Sequence, residues 1–191
     1  MKVLVGMSGG VDSSVTACLL KEEGHEVIGA TMSIWDKNKH YKITTHKDAC
    51  FSPHEEEDIK EARAICDKLE IPYYVIDCTK QYQKLVLDNF KQEYLAGRTP
   101  NPCVRCNATI KFETLPRSAA EQGIEFDKFA TGHYARLSYN LTVISCVRLL
   151  IAKKIKAIFC TVCNKSNYQK SCYRWENIPK RKFVISRVNM V

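Results

Sequence analysis

The chain has 191 residues, of which 45% are hydrophobic and 26% charged. This is enough for one domain with its own core, and the composition is typical of a globular protein. No apolar run is long enough to span a bilayer, and the start, MKVLVGMSGG, lacks the pattern of a secretory signal. We therefore expect a cytoplasmic protein with no membrane partner.

The positive net charge of +8 comes from the end of the chain. Residues 1–140 contain 18 Lys and Arg against 20 Asp and Glu, whereas residues 141–191 contain 11 Lys and Arg against a single acid, Glu176. A basic segment of this kind can bind nucleic acid through phosphate contacts. The abrupt change in composition also indicates that the two segments differ in origin.

Strand and helix patterns alternate along the first 131 residues. Short apolar runs predict strands at 3–5, 26–32, 73–76 and 126–131. Helical spacing and end signals predict helices at 15–24, 55–69, 82–95 and 107–120, with Gly24 ending the first and Asn107 capping the last. The polar segments 36–54 and 97–106 are predicted loops. This order predicts an α/β fold, an open parallel sheet with helices on both faces, whose ligands bind at the carboxyl ends of the strands.

The first predicted strand leads into a glycine- and serine-rich loop, SGGVDSS, that precedes a helix. Glycines permit tight turns that point backbone N–H groups at an anion, and a helix N-terminus adds partial positive charge. Ser8, Ser13 and Ser14 offer hydroxyl donors to phosphate oxygens, and Asp12 fits such a site if Mg²⁺ bridges it to the phosphates. The spacing matches neither a Walker A loop nor GxGxxG. An ordinary glycine-rich turn is the alternative interpretation.

A second loop, GRTPNPCVRCNATIKFETL, contains the pair Cys103 and Cys106. The predicted helix start at Asn107, together with Arg105 and Lys111, should lower the pKa of the Cys106 thiol. A thiolate there would serve as a nucleophile or sulfur carrier.

The chain has ten cysteines in all, and in a cytoplasmic protein we do not expect them to form structural disulfides. Cys18 and Cys66 fall at apolar positions of predicted helices, which is typical of small core residues.

Three strings together carry a resemblance to a known family: GMSGGVDSSV, NPCVRCNATIKF and ATGHYAR. The first resembles the pyrophosphate loop of the ATP pyrophosphatases. In this order and spacing, the three closely resemble the bacterial tRNA-specific 2-thiouridylases over about residues 1–139. The resemblance implies a Rossmann-like, adenine nucleotide alpha hydrolase-like fold with an ATP-pyrophosphatase domain at 1–139. It also implies ATP and Mg²⁺ as cofactors, a tRNA with a wobble uridine as substrate, and a sulfur-donor protein as partner.

The same resemblance implies roles for individual residues. The nucleophile is Cys106, and Asp12 would also hold Mg²⁺. The residues that face the tRNA are Asn101, Pro102, Cys103 and His133. The ATP contacts are Gly6, Met7, Ser8, Gly9, Gly10, Val11, Asp12, Ser13, Met32 and Gly132. In this chemistry ATP adenylates the 2-carbonyl oxygen of the uridine, a persulfide on a second cysteine supplies sulfur, and a disulfide with Cys106 forms as AMP leaves.

The resemblance stops after Tyr139, where the composition changes. In a shifted frame, made from the last base of each codon and the first two of the next, residues 150–164 can spell DSKKDQSYFLYRLQ. That string resembles a tRNA-contacting segment of the family. We interpret residues 140–191 as an out-of-frame basic tail, with the frame change near 138–141; the alternative is a genuinely basic, RNA-binding tail. We expect the tail to be poorly ordered, and the 191-residue product to bind ATP weakly without completing thiolation.

Two other functions fit parts of the sequence. Another adenylating ATP pyrophosphatase, such as an amide-forming synthetase, would share the glycine loop but would need no thiol at Cys106. A zinc- and RNA-binding module would use Cys103 and Cys106 with Cys160 and Cys163, because CxxC is zinc-ligand spacing. Stoichiometric zinc in the purified protein would indicate the second of these.

Overall fold

Four parallel strands form the central sheet. A computed structural model describes residues 1–39 and 51–133, together with the backbone of 136–140 and 143–147. The strands are β1 (Lys2–Gly6), β2 (Glu26–Ser33), β3 (Tyr73–Asp77) and β4 (Lys128–Thr131). Their order in the sheet is β3-β2-β1-β4, and every neighbouring pair is parallel. The predicted parallel α/β fold is confirmed.

Helices cover both faces of this sheet because strand side chains alternate between two buried clusters. On one face, Val3 packs with residues of α1 (Val11–Glu22) and α2 (Glu55–Lys68). On the other, Leu4 and Phe129 pack with the helices that follow β3. The carboxyl edge of the sheet therefore lies between two helical layers, where the loops after the strands meet.

Two long helical segments on the second face each contain a π-helical stretch. The first comprises α3 (Thr79–Tyr82), a π segment (Gln83–Leu87) and α4 (Asp88–Leu95). The second, which we name the cysteine helix, comprises α5 (Pro102–Cys106), a π segment (Asn107–Thr114) and α6 (Leu115–Glu121). Among the residues that the structure describes, no helix combines the length and apolar content needed to cross a bilayer.

The start of the cysteine helix corrects the sequence prediction. The helix begins at Pro102 rather than after Asn107, and the N-cap is Asn101, whose Oδ1 accepts from the backbone N–H of Val104 at 3.2 Å. Proline suits a first helical position because its missing N–H would have no intrahelical partner there. The predicted loop over 97–106 was therefore wrong for its last five residues, which are helical.

The cysteines predicted to be core residues differ in burial. Cys66 is fully buried, as predicted, but Cys18 is only partly buried. The Cys18 sulfur lies 3.8 Å from a carboxylate oxygen of the exposed Glu22 on the next turn of α1.

A backbone hairpin follows the sheet. Its strands are β5 (Arg136–Asn140) and β6 (Val143–Val147), and they pair antiparallel. The second strand belongs to the segment 140–191, and the expectation that this segment is poorly ordered stays a prediction. Val143, Ile144 and Val147 are β-branched and favour strands whatever their origin. Residues 148–191 lie outside the described part of the chain.

Gly29 lies where β2 passes closest to α2. A Cβ atom there would stand 2.6 Å from the buried Cys66 sulfur and 3.3 Å from side-chain atoms of Met7 and Tyr73. We expect Gly29→Ala to lower the free energy of unfolding by about 1–3 kcal/mol, the usual cost of overpacking a core. Urea denaturation would measure the loss.

A double-mutant cycle supplies the control. Adding Cys66→Ala to Gly29→Ala should recover part of the loss, since it removes the nearest clashing atom. Strictly additive losses in the double variant would show that the clash with sulfur is not the cause.

Candidate functional site

The glycine loop, residues 7–10, joins β1 to α1 at the carboxyl edge of the sheet. Gly9 has a φ of +73°, and a Cβ atom there would come within 3.0 Å of the Asp58 carbonyl oxygen on α2. Gly10 is the N-cap of α1, and its position contributes no side-chain hydrogen bond to the first turn. The N-cap residue thus places no side chain over the backbone N–H groups at the start of α1, which is an arrangement that favours an anion.

Hydroxyl groups of the first turn of α1 bind back to the glycine loop. Ser13 and Ser14, both buried, donate from Oγ to the Gly10 carbonyl oxygen at 3.0 and 2.9 Å, and the Ser8 N–H donates to Ser13 Oγ at 3.2 Å. A hydroxyl carries one proton. In this structure both protons are donated to the Gly10 carbonyl oxygen, and their donation to phosphate stays a prediction. Ser8 is exposed at the surface of the loop, where its hydroxyl could still contact a phosphate oxygen as predicted.

A chain of hydrogen bonds connects Met7, the first residue of the glycine loop, to the neighbouring strands β2 and β3. Met7 donates its N–H to Ala30 at 2.8 Å, and its carbonyl accepts from Thr31 Oγ1 at 2.9 Å. Tyr73 donates its phenol proton to Thr31 Oγ1 at 2.7 Å. Burial raises the pKa of Tyr73, which keeps that proton in place. The sequence alone did not indicate a role for Thr31 and Tyr73, because both fall within predicted strands and in no motif.

Gly132 brings the end of β4 against the start of α1. A Cβ atom on Gly132 would lie 2.6 Å from the backbone nitrogen of Ser13 and 2.7 Å from the carbonyl carbon of Asp12. Only glycine permits two backbone segments to approach this closely. The glycine of the TGH string and the glycine loop are therefore parts of one surface.

His133 connects that surface to the cysteine helix. Its Nδ1 lies 2.8 Å from Thr131 Oγ1, and its ring centroid lies 5.7 Å from that of Phe112. Phe112 belongs to the π segment of the cysteine helix and also contacts Phe129 edge-on at 6.4 Å. All three strings that define the family resemblance thus meet at one end of the sheet.

The two cysteines of the CxxC pair differ in exposure. Cys103 is exposed, whereas Cys106 is 8% exposed and packs in the cluster that contains Ile34 and Cys78, the residues that follow β2 and β3. The predicted helix start beside Cys106 is absent, since Cys106 is the fifth residue of α5. Cys106 therefore lies more than one turn from the positive end of the helix dipole, and Cys103 lies nearer the helix start.

The remaining predicted site residues lie along the same edge. Met32 is partly buried at the end of β2 and packs against the cluster that contains Cys106. Gly6 ends β1, Val11 is 55% exposed at the start of α1, and Asn101 and Pro102 begin the cysteine helix. Their contacts with ATP or tRNA stay predictions.

Two buried thiols that are not part of the CxxC pair are held in the neutral form. Burial raises the pKa of Cys78 to about 12, with Asp77 and Cys106 adding to the effect, and burial raises that of Cys66 to about 11. These sulfurs are poor nucleophiles at neutral pH. Among the described cysteines, Cys103 is the exposed thiol.

This gives a prediction for alkaline pH. In the folded protein both thiol pKa values lie above the ordinary thiol value of 9.0. The free energy of unfolding should therefore fall as pH rises from about 9 toward 11–12, by up to about 1.4 kcal/mol per pH unit for each thiol. Urea denaturation at pH 8 and pH 10.5 would measure it. Cys66→Ala should be less stable at pH 8 and show a shallower loss; an unchanged slope would contradict the assignment.

Within the described residues, no group of three or more His, Cys, Asp or Glu side chains could hold a metal ion. The zinc-module interpretation needs Cys160 and Cys163, which lie outside those residues.

A parallel sheet with a glycine loop after its first strand, and a second glycine after β4 that lies close to the start of α1, defines an α/β protein of the class whose ligands bind at the carboxyl edge of the sheet. The family model for the "tRNA methyl transferase HUP domain" matches residues 1–182, and the chain belongs to this family.

Similar proteins agree with the resemblance drawn from the three strings. The chain is 55% identical over 140 residues to the tRNA-specific 2-thiouridylase MnmA of Endomicrobium trichonymphae, an alignment covering 73% of the chain and 39% of that protein. It is 53% identical over 137 residues to MnmA of Geobacter metallireducens, covering 71% and 36%. The match thus covers less than two fifths of the full length of these relatives. The recognition of the 2-thiouridylase family is confirmed.

Among solved structures, a predicted subunit of a tRNA methyltransferase from Methanocaldococcus jannaschii is 16% identical, with a TM-score of 0.49. The match covers 97% of this chain and 74% of that one. An NH3-dependent NAD synthetase from Campylobacter jejuni is 20% identical, with a TM-score of 0.41, and the match covers 68% and 45%.

Proposed function

We propose that this chain is the ATP-binding part of a tRNA 2-thiouridylase. In the proposed reaction ATP adenylates the 2-carbonyl oxygen of a wobble uridine, pyrophosphate leaves, and sulfur from a cysteine persulfide replaces the activated oxygen as AMP departs. The proposal includes Mg²⁺ as cofactor, tRNA as substrate, a sulfur-donor protein as partner and a cytoplasmic location.

One observation carries the proposal. Gly132 lies so close to the first turn of α1 that a Cβ atom on it would come within 2.6–2.7 Å of backbone atoms of Asp12 and Ser13, and the next residue, His133, contacts Phe112 of the cysteine helix. A nucleotide held at the start of α1 would therefore lie beside the helix that carries Cys103 and Cys106. The close identity to proteins named 2-thiouridylases supports the same assignment.

Each part of the site would have its own task. The start of α1 would hold the phosphates through backbone N–H groups, and Asp12 would hold Mg²⁺, whose charge stabilises departing pyrophosphate. Met32, on the neighbouring strand, would contact the adenosine. Asn101, Pro102 and His133 would face the tRNA. Cys106 would form the disulfide with the persulfide-bearing cysteine as the sulfur is delivered.

Nucleotide binding tests the first half of the proposal. We expect the purified chain to bind ATP, and Asp12→Asn to weaken binding by at least about tenfold with Mg²⁺ present but by much less with EDTA. Isothermal titration calorimetry would measure both. Asp67→Asn is the matched control, because Asp67 is exposed on α2. An equal loss with and without Mg²⁺ would remove Asp12 as the metal ligand.

We also propose that residues 140–191 are translated out of frame and form no genuine domain. The relatives support this, since each alignment with them is between 136 and 140 residues long and leaves about 50 residues of the chain unmatched. The family match through residue 182 opposes it. Sequencing the gene across codons 136–145 decides between them, because an intact frame there ends the proposal.

A further inference from the structure

A buried carboxylate holds the chain immediately after Met32. Glu55, the first residue of α2, is 8% exposed. Its Oε2 accepts from Ser33 Oγ at 2.7 Å, and its Oε1 accepts from the backbone N–H groups of Ile34 and Trp35 at 2.6 and 3.0 Å.

These contacts replace hydrogen bonds that the sheet can no longer supply. β2 ends at Ser33, where the Cys78 N–H donates to the Ser33 carbonyl oxygen at 2.8 Å. Beyond that point the N–H groups of Ile34 and Trp35 need another acceptor, and Ile34 is itself buried. A carboxylate that accepts three hydrogen bonds offsets the cost of its own burial and fixes all three donors in one geometry.

The position of these three hydrogen bonds to Glu55 distinguishes them from a general packing contact. Glu55 lies on the helix that also lies close to Gly9 of the glycine loop, through Asp58 and Glu61, yet its own carboxylate accepts from the last residue of β2 and from the two residues after it. The phosphate side and the β2 side of the carboxyl edge are thus supported by different residues of α2.

We propose that Glu55 is a positioning residue for the adenosine part of the nucleotide. This inference rests on the proposed function, in which Met32 contacts adenosine and the glycine loop holds the phosphates. By fixing the backbone from Ser33 to Trp35, Glu55 holds Met32 in the position in which it contacts the nucleoside. It contributes nothing directly to phosphate binding.

Three ligands separate this role from a structural one in the full chain: ATP, AMP and inorganic pyrophosphate, each titrated by calorimetry. We expect Glu55→Ala to weaken ATP and AMP binding by at least about tenfold while pyrophosphate affinity changes by less than about twofold. Glu55→Gln should bind AMP within about threefold of the wild type, because the carboxamide oxygen still accepts from both N–H groups. Glu57→Ala, which removes an exposed carboxylate from the same turn, is the control.

Each outcome decides the matter. If Glu55→Ala binds all three ligands as the wild type does, or loses pyrophosphate in proportion to AMP, the positioning role is wrong while the proposed function stands. If the wild type binds neither ATP nor pyrophosphate, both fail. Should Glu55→Ala not fold, Glu55→Asp decides: its shorter carboxylate should weaken AMP binding by about fivefold or more, and wild-type affinity would overturn the proposal.

Discussion

Replacing Gly132 with alanine will disable nucleotide binding and destabilise the fold together. The new methyl group would stand 2.6 Å from the Ser13 nitrogen and 2.7 Å from the Asp12 carbonyl carbon, atoms that belong to the backbone of α1. Neither can rotate away as a side-chain end can, so β4 and α1 must separate. We expect a loss of about 1–3 kcal/mol in the free energy of unfolding and at least about a tenfold loss of ATP affinity.

Gly10→Ala controls for the loss of a glycine at the start of α1. Gly10 has a φ of −80°, and its added Cβ would meet only Ser8 Oγ at 3.5 Å, an ordinary contact. Thermal unfolding of the two variants should differ clearly, with Gly132→Ala melting lower. If both melt at the same temperature and Gly132→Ala still binds ATP, the close approach of β4 to the loop is not a requirement of the site.

The sheet could be predicted from sequence because its information is local. Each strand is a short apolar run, and its alternating residues fill two clusters, so the period and position of strands such as β1 and β2 follow from side-chain type. The position of the glycine loop could be predicted in the same way. The hydrogen bonds of the serines could not, because whether Ser13 donates to a ligand or to the Gly10 carbonyl depends on a backbone geometry that the sequence does not specify.

The errors at the cysteine helix have the same cause. Asn101 and Asn107 are both capping residues by type, and only the structure shows that the cap is Asn101, with Asn107 donating from Nδ2 to the Cys103 carbonyl instead. Moving the helix start by five residues changes the electrostatics of Cys106 and places it in the core. Glu55 was missed because it stands among charged residues, EEED, whose pattern is that of a solvated first turn.

Cys106→Ser will separate the two proposed half-reactions in a gene whose frame is restored between codons 138 and 141. Adenylation needs no thiol, so this variant should still release pyrophosphate when given ATP and tRNA. Formation of 2-thiouridine, measured by mass spectrometry of digested tRNA, should fall by about a thousandfold or more because serine cannot replace the cysteine in a disulfide. The unaltered 191-residue chain should form no 2-thiouridine.

Cys103→Ser is the matched comparison, and the structure makes it a demanding one. Cys103 is the exposed thiol near the helix start, whereas Cys106 is 8% exposed, so exposure alone favours Cys103 as the reacting sulfur. If Cys106 is the nucleophile, the cysteine helix must present it when tRNA binds, and Cys103→Ser should cost less than about tenfold in thiolation. A variant pair with the opposite ranking, in which Cys103→Ser abolishes thiolation and Cys106→Ser does not, would transfer the sulfur chemistry to Cys103 and leave Cys106 as a core residue.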